Sequence, residues 1–141
     1  MTTKLSFGQA IKTGLSAGVV AAAINSVLFL LFRSLGLITD DVFVQPDMPM
    51  TVVPVIISSL VPSVLAGMVY YLLDRFTANG YRNFLILSIV LLLLSFANPF
   101  MMIPNVPVSY GIALDLMHVT VVVSLLYFLR RATTPTGKVV L

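Results

Sequence analysis

The sequence predicts an all-α fold, a four-helix transmembrane bundle with both termini on the cytoplasmic side. Three observations carry that expectation. Apolar residues make up 59% of the 141 positions and charged residues 9%, against roughly 45–50% and about 25% in soluble domains. A domain this small leaves a large share of its surface exposed in water, and a bilayer removes the need to hide it. Four apolar runs are each long enough to cross a hydrocarbon core, which takes about 20 residues of helix. The basic residues, finally, fall very unevenly on the two sides that these runs define. The runs are continuous and lack the alternation of a membrane barrel.

The chain reads as one domain over residues 1–141, with helices at about 10–33, 51–73, 83–103 and 110–130. The first run is uncharged from Thr13 to Phe32. Ser6 followed by Gln9 is a capping-box signal for a start before the membrane. Arg33-Ser34-Leu35-Gly36 closes it, with a cation in the last turn and a glycine just beyond. This run exceeds the roughly 7–15 apolar residues of a signal peptide and lacks a small-x-small cleavage site, so it is expected to stay. The second run is uncharged from Met48 to Leu73 and carries Pro54 and Pro62. Each proline removes a backbone donor and bends its helix. Asp74-Arg75 and Ala78-Asn79-Gly80 form a polar turn into the third run. Asn98-Pro99 and Pro104-Asn105-Val106-Pro107 divide the remaining apolar stretch into the third and fourth helices.

Lys4, Lys12, Arg75, Arg82, Arg130, Arg131 and Lys138 lie on one side of these runs, and only Arg33 on the other. Counted over short loops, Lys and Arg mark the cytoplasmic side. The N-terminus, the 74–83 turn and the C-terminal tail are therefore expected inside, and loops 34–50 and 104–109 outside. These basic residues flank apolar runs and form no stripe with interleaved aromatics, so nucleic acid is not an expected partner. Cysteine is absent and histidine occurs once. Such a chain offers no disulfide, no thiolate chemistry and no expected metal or other cofactor.

Small residues recur every four positions on two runs. The first carries Ala10, Gly14, Gly18, Ala22 and Ser26, and the second carries Ser59, Ser63 and Gly67. Such stripes let two helix backbones approach closely in lipid. They pack these helices against each other, or else one of them faces another subunit or a partner membrane protein. Four short helices bury little alone, so a homo-oligomer is an open expectation.

Polar groups in apolar runs need a reason, because an ionisable side chain at the bilayer centre costs roughly 2.5–3.5 kcal/mol on insertion scales. Asp115 and His118 lie three apart on one face of the fourth helix. At about 1.5 Å per residue, Asn25 and Arg33 on the first helix reach similar depth. So do Ser58 and Ser59 on the second, and Ser95 and Asn98 on the third. The inner half reads as nearly all apolar. Arg33 either snorkels to headgroups and caps its helix or pairs with Asp115. Asn25 and Asn98 either bond across helices or line a site with His118. The depth match suggests a polar pocket in the outer half, with Arg33 near Asp115 and Asn25 near His118.

Four short segments carry a resemblance: Ala21-Ala22-Ala23-Ile24-Asn25, Leu73-Asp74-Arg75, Leu94-Ser95-Phe96-Ala97-Asn98-Pro99 and Leu116-Met117-His118. In this order they resemble a family of small four-span bacterial membrane proteins, a domain of unknown function. The resemblance implies a bacterial inner membrane and marks Asn25, Arg75, Pro99 and His118 as family-like positions. It does not extend to Asp115 or Arg33. Three functions stay in view. One is a non-enzymatic protein binding membrane lipid, a small ligand or a partner protein through the outer pocket. Another is a small oligomeric proton-linked transporter or channel. The third is an intramembrane enzyme using His118 and Asp115, although Ser58, Ser59 and Ser95 sit in no recognised nucleophile motif.

Overall fold

The computed structural model describes residues 3–45 and 47–134. Their element order is α1 (Phe7–Ser34), β1 (Phe43–Gln45), β2 (Met48–Pro49), α2 (Val52–Phe76), α3 (Gly80–Ser95), α4 (Asn98–Met102) and α5 (Val108–Thr133). α1, α2 and α5 are each long and apolar enough to cross a membrane, and α3 is a shorter apolar helix. The chain is therefore an all-α, multi-pass membrane protein.

Each helix end has a local cause. α1 starts at a complete capping box: Ser6 N–H donates to Gln9 Oε1 at 2.8 Å, and Gln9 N–H donates back to Ser6 Oγ at 3.3 Å. It ends where Gly36 takes φ +71°, a conformation that costs glycine nothing, while Leu37 N–H donates to the Phe32 carbonyl at 2.8 Å. The third apolar run departs from its expected 83–103 span. α3 begins three residues earlier and stops at Ser95, and the turn Phe96-Ala97 separates it from the five-residue α4. Pro99 explains the stop, because it has no N–H for the Ser95 carbonyl and its ring crowds that oxygen. At about 1.5 Å per residue, α3 is about 24 Å long, short of the ~30 Å hydrocarbon core.

α1 packs along α2 and α5, and α3 closes the other side by touching the same two helices. α2 and α5 have little direct contact. The α1–α2 contact is the tightest. A Cβ added at Gly14 would collide with the Ser63 carbonyl oxygen, and one added at Gly18 would lie 2.9 Å from Ser63 Cβ. At Gly67 it would fall 2.5 Å from the Ala10 carbonyl oxygen. Ala22 and Ser59 are buried as well. The seven small residues from Ala10 to Gly67 thus face one another, and at Gly14 and Gly67 the two backbones meet directly.

Apolar packing gathers at the two ends. One cluster joins Phe29, Phe32, Val55, Tyr110 and Met117 to Ile38 and Val42 of the 34–50 loop. The sequence reading placed this loop outside and gave it no structure of its own. The loop instead folds back, pairs β1 with β2 as a small antiparallel hairpin, and covers the bundle end. The second cluster joins Leu5, Ala10, Tyr70, Phe84 and Leu129 at the opposite end, where Thr3 N–H donates to the Thr133 carbonyl at 3.0 Å. Polar side chains occupy the level between them.

Candidate functional site

Asn25 ties three helices together. It is 2% exposed, and its amide nitrogen donates to Ser59 Oγ on α2 and to the Met117 carbonyl on α5, both at 3.1 Å. A carbonyl can only accept, so the Met117 contact fixes which end of the amide is nitrogen. Asn25 Oδ1 is left buried with no partner among the described residues. Ser59 Oγ, while accepting from Asn25, donates to the Val55 carbonyl at 2.8 Å, and Ser58 Oγ donates to the same oxygen at 3.2 Å.

A cavity of about 160 Å³ opens here, lined by Asn25, Ser58, Ser59, Met117, His118 and Val121 among others. Ser58, His118 and Val121 also border a larger groove of about 460 Å³ between α2, α3 and α5. Pro62, Ala66, Leu87, Leu92 and Val122 supply apolar walls to that groove, with Ser88 and Ser95 at its α3 side. The groove follows from the packing order, since α2 and α5 are held apart by α1 on one side and α3 on the other. His118 stands at the junction of the two spaces, half-buried, with a buried Nδ1 that has no partner.

The structure thus places Asn25, Ser59 and His118 around one cavity and Ser95 on the adjoining groove. The remaining candidates lie elsewhere. Arg33 pairs with Asp40 of the 34–50 loop, not with Asp115. The loop carries Asp40 to a cation seven residues away, which costs less chain ordering than recruiting a carboxylate from α5. Both side chains are well exposed, at 41% and 60%, so the pair contributes only about 0–1 kcal/mol. Asn98 is exposed on α4. Asp115 is half-buried one turn before His118, and its Oδ1 has no partner.

Two features escaped the sequence reading. Ser88 and Ser124 are buried in the half expected to be nearly all apolar, on the same side as Ser63 of the small-residue stripe, and Thr133 and Asp74 are buried at the helix ends there. Several of these hydroxyls return to their own helix, Ser63 to the Ser59 carbonyl at 2.7 Å and Thr133 to the Leu129 carbonyl at 2.9 Å. Such side chains cost little at any depth, which is why they carried no signal. Tyr110, fully buried with an unpartnered hydroxyl, was read only as the start of a helix. One signal was available: Pro62 has no N–H for the Ser58 carbonyl four residues back, so an acceptor is freed where the groove meets the cavity.

Chemically the site offers hydrogen-bond acceptors in an apolar surround. Ser58, Ser59 and Ser95 donate to backbone carbonyls and not to His118. Among the described residues, no three His, Cys, Asp or Glu side chains come together as a metal site. No curated protein and no solved structure matches the chain. Residues 6–135 match a family of unknown function, DUF6069, and cover nearly all of the bundle, so the chain belongs to that family.

Proposed function

We propose that this protein is a non-enzymatic, four-span membrane protein that binds a lipid-like amphiphile, with its chain in the α2–α3–α5 groove and its head at Asn25 and His118. The observation that carries this reading is the junction at His118, Ser58 and Val121. There an apolar groove of about 460 Å³ meets a smaller cavity of about 160 Å³, in which Asn25, Ser59 and His118 stand among apolar walls. Membrane ligands have that same division, and pockets that orient a ligand combine apolar walls with a few placed polar groups. Retention of a single-chain lipid by the purified protein, read by native mass spectrometry, tests it. Leu87→Trp and Val122→Trp, which fill the groove, should remove most of the bound lipid. Val27→Trp, on the exposed side of α1, should not. Equal retention in all three would defeat the reading.

The excess of basic residues at the end where α1 starts and α5 finishes supports a cytoplasmic placement of that end, in a bacterial inner membrane. The chain has no cysteine, so Thr2→Cys, Gln45→Cys, Asn79→Cys, Val106→Cys and Lys138→Cys each introduce a single reporter. Only the residues introduced at 45 and 106 should react with an impermeant maleimide in intact cells. Labelling at 79 from outside would reverse the orientation. A second reading, a small oligomeric proton-linked transporter, draws on Asp115 and His118, whose buried atoms lack partners among the described residues. Intramembrane acids and histidines commonly serve such relays.

A further inference from the structure

Building on the proposed amphiphile site, we infer that the head of the bound molecule is an uncharged alcohol, not a phosphate, a carboxylate or an ammonium group, seated between Asn25 and His118. The argument is a count of donors. Four polar side chains line the small cavity: Asn25, Ser58, Ser59 and His118. The Asn25 amide hydrogens go to Ser59 Oγ and the Met117 carbonyl. The Ser58 and Ser59 hydroxyl hydrogens both go to the Val55 carbonyl. What these three residues still offer is acceptor capacity: Asn25 Oδ1, the Ser58 hydroxyl oxygen and the Ser58 carbonyl that Pro62 cannot serve.

A carboxylate or a fully ionised phosphate brings only acceptors and would leave every one of these atoms unpaired, at a depth where no water compensates. Asp115, one turn along α5 from His118, adds to the repulsion if ionised and leaves it unchanged if not. An ammonium group would find donors welcome, but it must shed its hydration shell and finds no partnered carboxylate lining the cavity. A hydroxyl gives one hydrogen, which Asn25 Oδ1 lacks, and accepts one, which a neutral imidazole supplies when the nitrogen that faces the head carries its proton. The unpartnered Asn25 Oδ1, on a side chain 2% exposed, is an independent sign that a donor belongs there, because buried polar atoms are ordinarily paired. The volumes agree. About 160 Å³ accepts a small head, since one water occupies about 30 Å³ of liquid, and the larger groove accepts a chain.

His118 is the only histidine, so protein labelled with ¹⁵N-histidine gives one pair of ring signals that report on the site. The full-length protein in nanodiscs is titrated with dodecan-1-ol, dodecane, dodecanoate, dodecyl phosphate and dodecylamine. The alcohol should shift the His118 signals saturably and bind at least tenfold tighter than the alkane. The two anions and the amine should bind at least tenfold more weakly than the alcohol. His118→Phe has no histidine signal, so its binding is read by competition for the lipid retained in native mass spectrometry. It keeps the ring volume without its nitrogens, and should reduce the preference of alcohol over alkane severalfold while alkane binding is retained. Asn25→Leu should do the same, but Asn25 also joins helices, so His118→Phe keeps the test decisive if the first variant fails to fold. Equal affinity for alcohol and alkane, or an anion or amine binding best, would overturn the alcohol head and leave the groove reading intact. If no chain competes for the groove that Val122→Trp blocks, both are overturned.

Discussion

Gly14→Leu should produce the largest loss of folded protein of any single substitution in α1. A Cβ at Gly14 already lands on the Ser63 carbonyl oxygen, with Gly67 Cα 3.3 Å away. Both obstacles are backbone, so neither can rotate aside. A leucine adds three more carbons to that collision and must push α1 off α2 along the whole small-residue face. Overpacking in a well-packed interior costs about 1–3 kcal/mol and occasionally more. Here the upper end applies, because dispersion between close backbones is the main force holding such helices together in lipid. Gly8 is the control. Its Cβ would meet nothing within 4 Å, so Gly8→Ala should be neutral or raise stability by about 0.5–1 kcal/mol through helix propensity. Thermal unfolding in detergent and folded yield after purification measure both. A Gly14→Leu protein as thermostable as its parent would show that α1 and α2 do not pack as described.

The second large effect is expected at Asn25. Asn25→Leu should destabilise the protein by about 1–3 kcal/mol, since two buried hydrogen bonds vanish and a branched apolar group replaces a planar amide. Asn98→Leu, on the exposed face of α4, should change stability by less than about 0.5 kcal/mol. The contrast matters because the sequence presents the two asparagines as equivalents, each at the outer third of an apolar run. Chemical or thermal unfolding of the pair, side by side, decides between one structural asparagine and two. Equal losses would mean that the α1–α2–α5 junction is not what holds Asn25 in place.

How far the sequence reached can be followed through particular residues. The α1–α2 face was legible because a spacing of four needs only the geometry of one helix at a time, and small residues fit few partners except each other. Asn25 and His118, which depth alone placed in one pocket, line one cavity, and its use as a binding site is a proposal. The pairing of Arg33 with Asp115 failed on the same argument, since two groups at one depth still need helices turned toward each other. The 34–50 loop, which the sequence placed outside without further structure, supplied Asp40 from nearby and sent Ile38 and Val42 into the core.

Taken by itself, the sequence determined which segments are apolar helices, which of their faces are small, and on which side the cations collect. Each of these depends on hydropathy, composition or the rise per residue along one helix. Only the tertiary structure decided the rest. It broke the third run at Ser95, held α2 and α5 apart so that a groove remained, and spent every serine and amide donor around the cavity on a neighbour. Those outcomes depend on how each helix is rotated about its axis and which carbonyl lies within 3 Å of which hydroxyl. A linear pattern carries no record of either, because in a bilayer many rotations bury the same apolar area and hydrogen bonding selects among them.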